Sequence, residues 1–157
     1  MSATKKPWLQ IRESNLEYLD TAGILRWSLP ISCIVLVAEY TTNEGPYADD
    51  YFLVFVTVED GKLYFSTCSV YSGGAEEVLS SVQQHLGSPI QLELQGSTEW
   101  RSRVAWPVNM AGTEYFSFTE LPAVTLSEKV KNKILGPTHE YAISKAVHEY
   151  LEDRLSQ

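Results

Sequence analysis

The sequence predicts an α+β domain, a strongly bent antiparallel sheet or open barrel with one internal helix and further helices at its C-terminal end. Three observations carry this. Short segments of alternating apolar and polar residues recur from Leu16 to Phe118, separated by turn residues. One stretch among them, residues 75–86, has helical spacing instead. After Pro122 helical spacing takes over. The 157 residues, 44% of them apolar, fit one domain that can bury a core without disulfides or metals. Residues 1–6 read as a loose tail and 7–157 as a single domain, with its helical part beginning at about residue 123.

Leu16–Leu19 and Ile24–Leu29 flank a turn from Asp20 to Gly23, the pattern of a hairpin. Cys33–Thr41 reads as a strand with Ile34, Leu36, Ala38 and Tyr40 on one face and Cys33, Val35 and Val37 on the other. Tyr51–Val58 is apolar at every position but Thr57, which predicts a strand covered on both sides. Asp60 and Gly61 supply the positive φ angles of a two-residue turn, so Leu63–Ser69 should pair back against it. In the internal helix Val78, Leu79, Val82 and Leu86 form the apolar stripe, Glu76 and Glu77 suit its N-terminal dipole, and Gly87 and Pro89 end it. Ile90, Leu92 and Leu94 alternate with Gln91, Glu93 and Gln95, and Trp100–Trp106 alternates likewise; each predicts a strand with one face in the core. Tyr115–Phe118 predicts a short strand. Leu126–Leu135 and Thr138–Leu155 predict two helices parted by Gly136 and Pro137, the second docking through Ile143, Val147, Tyr150, Leu151 and Leu155.

No catalytic centre emerges. His85, His139 and His148 all fall in predicted helices, with no nucleophile-elbow pattern beside them. His148 and Glu149 begin a zinc-protease-like helix motif, but Glu152 stands where the second histidine belongs. Glu44, Asp49 and Asp50 lack the spacing of a calcium loop and read as a solvated rim. Gly73 and Gly74 precede a helix, yet Glu76 and Glu77 would repel a phosphate there. No metal or cofactor is expected. Arg101 and Arg103 alternate with inward-pointing tryptophans, the pattern of core packing with partners for nearby acids.

The formal charge is −8, and between Trp27 and Trp100 ten acids face a single base, Lys62. Such a field repels nucleic acid and anionic membrane and favours a basic partner. Acids and tyrosines interleave from Glu39 to Asp50, so Glu39, Glu44, Tyr47, Asp49 and Asp50 are the expected partner-binding residues. No apolar run approaches a membrane span and no secretory leader is visible. Cys33 and Cys68 sit in apolar runs and read as buried reduced thiols. The expected compartment is the cytoplasm.

A tryptophan strand (Trp27 to Cys33) leads to a Gly45-Pro46 loop with Asp50 before Phe52. Then come a helix opening Gly73-Gly74-Ala75-Glu76-Glu77, Gln83 with Leu86-Gly87, and a Ser97–Trp106 segment. Over roughly residues 10–107 this order resembles a group of small bacterial proteins. The resemblance implies a bacterial origin and a pleckstrin-homology-like sheet, from which the internal helix departs, and it carries over no catalytic residue.

The first functional expectation is therefore a non-enzymatic protein-binding module, in particular an immunity protein that neutralises a basic toxin through an acidic surface. The alternatives are a lipid- or small-ligand-binding domain of pleckstrin-homology type, for which the bases are too few, and a structural or assembly protein. An enzyme built on a scattered acidic pair would leave no mark in the sequence.

Overall fold

The computed structural model describes residues 6–43, 49–120 and 139–156. Among these residues nine strands and two α-helices follow in the order β1 (Trp8–Arg12), β2 (Asn15–Leu19), β3 (Leu25–Pro30), β4 (Ile34–Thr41), β5 (Tyr51–Glu59), β6 (Lys62–Ser69), α1 (Ala75–Leu86), β7 (Arg101–Trp106), β8 (Phe116–Glu120), β9 (His139–Ile143) and α2 (Lys145–Leu155). They form three antiparallel sheets: β1-β2-β3, β6-β5-β4-β7 and β8-β9. The expected α+β class with antiparallel pairing holds, but among the described residues the strands form three sheets, none closed into a barrel, where one strongly bent sheet or open barrel was expected.

The four-stranded sheet is the middle layer because its central strands are apolar on both faces. Val37, Leu53, Phe55 and Ala105 turn to one side, where Leu9, Leu16 and Leu29 of the first sheet and Val78 and Val82 of α1 cover them. Leu36, Ala38, Val54, Val56 and Val104 turn to the other, against Val147 and Leu151 of α2 and Tyr115. The alternation of β5 thus resolves into two cores separated by one strand thickness. Truncating a fully buried ring such as Phe55 would remove about 3–5 kcal/mol.

Local signals fix the ends. Asp60 (φ 50°) and Gly61 (φ 74°) make the β5–β6 turn. Gly74 (φ 78°) and Gly87 (φ 72°) bracket α1 in the left-handed conformation. Ser144 caps α2, its Oγ accepting from Val147 N–H. No helix among the described residues is long and apolar enough to cross a membrane.

Several expectations change. Trp8–Arg12 forms a strand the sequence reading passed over. The predicted helix Thr138–Leu155 divides: residues 139–143, His139 included, form β9 against β8, and only Lys145–Leu155 is helical. A register irregularity between Ile34 and Leu36 moves Ile34 to the core opposite Leu36. β7 is buried on both faces from Arg103 to Ala105, whereas one wet face was expected. Ile90 and Leu94 point inward as their alternation predicts, but the segment pairs with no strand. Cys68 is buried, Cys33 half-buried, and both are free. The predicted helix over Leu126–Leu135 and most of the predicted tail lie outside the described residues.

Candidate interaction surface

One end of the middle sheet gathers the end of β4, the start of β5, the turn after β6 and the start of β7. Thr42 N–H donates to Asp50 O at 2.9 Å, closing the chain across residues 43–49. On one side the Tyr71 hydroxyl donates to Asp50 Oδ1 at 3.1 Å, and its ring meets Tyr51 edge-on with centroids 6.5 Å apart. On the other, Trp100 Nε1 donates to Asn43 Oδ1 at 3.1 Å. Tyr71 is 52% exposed and Trp100 42%, so both rings lie at the surface, and the charge of exposed Asp49 reaches Tyr71.

The electrostatics mark the same place. The Tyr71 hydroxyl is held above its ordinary pKa, first by desolvation, then by donating to Asp50 and by the charges of Asp50 and Asp49. Tyr18, on β2, is also raised, chiefly by burial and in part by Cys68 and Asp49. Tyr71 therefore feels both aspartates and Tyr18 the charge of Asp49, while the Tyr51 hydroxyl turns inward to Glu39.

Beneath this surface lies a buried polar network. Glu39, fully buried, accepts the N–H of Leu94 at 2.5 Å and of Glu93 at 2.9 Å on Oε1, where the Tyr51 hydroxyl also donates at 3.2 Å. Arg103 Nη1 stands 3.5 Å from Glu39 Oε2 and donates to Gln91 O at 2.6 Å. Burial raises the Glu39 pKa, against the lowering effect of the two N–H donors and Arg103. The Tyr51 hydroxyl is raised by burial and by the Glu39 charge.

Of the expected partner-binding residues, Asp49 is exposed and Asp50 half-buried at the surface. Glu39 does not belong with them: it lies inside β4, consumed by internal partners. Glu44 and Tyr47 lie outside the described residues. Sequence reasoning missed Tyr71 and Tyr18. The acids at 49 and 50 and the Ser69–Gly74 turn were each visible, but nothing local says that β5–β6 pairing joins them. Of the two arginines grouped at β7, Arg101 is exposed and Arg103 is the buried partner of Glu39. His148 stands 3.6 Å from Glu152 on exposed helix surface. Among the described residues no three His, Cys, Asp or Glu side chains group as a metal site.

No family model, curated protein or solved structure matches this chain.

Proposed function

We propose that the chain is a non-enzymatic, bacterial, cytosolic binding module that grips a basic protein through the Asp49, Asp50, Tyr71 and Trp100 end of its middle sheet. The observation that carries the reading is the Tyr71–Asp50 pair: an exposed aromatic ring oriented by an acid, with a second acid beside it. Tyrosine and tryptophan supply contact area at low entropic cost, and the acids steer a cationic partner. A toxin whose basic active site must be masked fits this chemistry, which makes the chain an immunity protein on this reading. A helix set against an antiparallel sheet is what supports a pleckstrin-homology-like architecture, and the three separate sheets of the described residues are where the chain departs from it.

The test is affinity capture from lysate at two salt concentrations, with the wild-type chain and a D49K/Y71A variant in parallel. A basic protein held by the wild type, released by salt and not captured by the variant supports the surface. Equal capture by the variant removes this surface from the reading. Co-expression with the captured protein then tests neutralisation, since an immunity protein must relieve its toxicity.

A further inference from the structure

β6 is an edge strand of the middle sheet. In a two-residue hairpin the pair flanking the turn exchanges both backbone hydrogen bonds, and bonded and unbonded pairs then alternate. Glu59 and Lys62 flank the turn, so Tyr64 and Ser66 also bond inward to β5. Leu63, Phe65 and Thr67 must turn their N–H and C=O groups outward. Trp27 bears this out: its indole Nε1 donates to the Thr67 carbonyl at 3.1 Å, capping the edge there. The outward groups of Leu63 and Phe65 have no backbone partner among the described residues. Tyr64 on one face is 47% and Phe65 on the other 46% exposed, while Leu63 beside Phe65 packs in part against the core under α2.

We propose that β6 pairs antiparallel with β6 of a second copy of this chain, about a two-fold axis normal to the sheet at Tyr64. The open window is bounded by the turn at Gly61, whose positive φ cannot continue a strand, and by the Trp27 cap at Thr67. Its five residues, Lys62–Ser66, centre on Tyr64. Pairing about that centre sets Leu63 opposite Phe65 of the second copy and Phe65 opposite its Leu63. All four residues point their backbone groups outward, so the contact closes four hydrogen bonds. Tyr64 meets Tyr64 of the second copy at a close, unbonded position on one face, and Leu63–Phe65 pairs cover the other. A register centred one residue later would need Thr67, which Trp27 occupies.

Charge selects the same edge. A chain of net charge −8 repels its own copy across most contacts, but Lys62–Ser69 contains no acid. The register places Lys62 opposite Ser66. The contact is isologous and closed, and it joins two four-stranded sheets into one of eight. It lies at the turn end of β6, away from Tyr71 and Asp50, and so is independent of the reading above.

The experiment is sedimentation velocity on the full chain over a concentration series, beside Phe65→Lys, Tyr64→Cys and Ser66→Cys variants whose folding is checked by circular dichroism. The expected result is a species of twice the 17.7 kDa chain mass that Phe65→Lys abolishes. Under oxidation Tyr64→Cys should cross-link between copies, because an unbonded antiparallel pair brings Cα atoms to about 4.5 Å, inside disulfide range. Ser66→Cys should not. A monomer at every concentration overturns the proposal, including one that captures a strand of some other protein. A dimer that survives Phe65→Lys, or that cross-links at 66 and not at 64, overturns it equally.

Discussion

The carboxylate of Glu39 accepts the backbone N–H of Leu94, 55 residues further along the chain, at 2.5 Å. With Glu93 N–H on the same oxygen, a side chain does for residues 93 and 94 what a neighbouring strand does elsewhere. Glu39→Leu would strand two backbone donors and the half-paired Arg103 in the core. We expect it to cost about 3–5 kcal/mol by urea unfolding, as for breaking a buried ion pair. The double variant E39L/R103L should lose less than the sum of the two single variants.

The same residue sets a pH dependence of definite sign. The folded pKa of Glu39 is raised above its ordinary value of 4.5, so its contribution to stability is fully present below 4.5 and is lost as pH rises through the folded value. Asp20 acts oppositely. N–H donation from Ile24 first, then from Ala22, with Arg26 alongside, lowers its pKa, and its contribution is lost as pH falls below 3.8. Glu39→Gln should therefore flatten the wild-type profile above 4.5 and leave the acid limb unchanged, as read from unfolding midpoints at stepped pH.

Gly73 is required by a ring. A Cβ at this position would run into Cε3 and Cζ3 of Trp8, whose backbone bridges to the same glycine. Gly73→Ala should destabilise by about 1–3 kcal/mol through overpacking. Trp8→Ala in the same chain should recover part of that loss, and the pair measured by denaturation with tryptophan fluorescence should be non-additive.

The two thiols should differ in reactivity. Burial pushes Cys68 up to about 12, so at pH 8 it is neither ionised nor reachable. Cys33 is half-buried. A thiol reagent should label Cys33 alone in the native protein and both residues in denaturant. Two rapid equivalents in the native state would contradict the burial of Cys68.

Ser144 joins β9 to α2. Its hydroxyl donates to Glu114 O at 2.5 Å and accepts from Val147 N–H at 3.4 Å, at the start of α2. Ser144→Ala should cost about 1–2 kcal/mol, as loss of an N-cap does. Ser144→Asp should keep the cap acceptor but set a carboxylate against the Glu114 carbonyl, so that it recovers none of the loss in the same melt.

What could be read from the sequence were features whose cause lies within a few residues. Tyr51–Glu59, the Asp60-Gly61 turn and the helix over Ala75–Leu86 announce themselves by spacing and turn chemistry. Residues 139–143 do not, because Ile143 fits a helical stripe with Val147 and only pairing with β8 makes the segment a strand. Glu39 in an apolar run looks like the rim of a loop until Arg103, 64 residues on, is known to lie beside it. At the candidate surface Asp49 and Asp50 were legible as acids near tyrosine. Which tyrosine they would meet was not, since β5–β6 pairing delivers Tyr71 to them.

The side-chain tethering of Ile90–Leu94 alters how this region responds to insertion and deletion. In a laddered strand every backbone group bonds whatever the side chains are, and a one-residue insertion slips the register but keeps the bonds. Here bonding and sequence are coupled. Gln83 holds the N–H of Ile90, Arg103 the carbonyl of Gln91, and Glu39 the N–H groups of Glu93 and Leu94. An inserted residue between 90 and 94 would carry the backbone away from fixed points that cannot follow. Length there is constrained more tightly than residue identity, the reverse of what holds for most connecting segments on a protein surface.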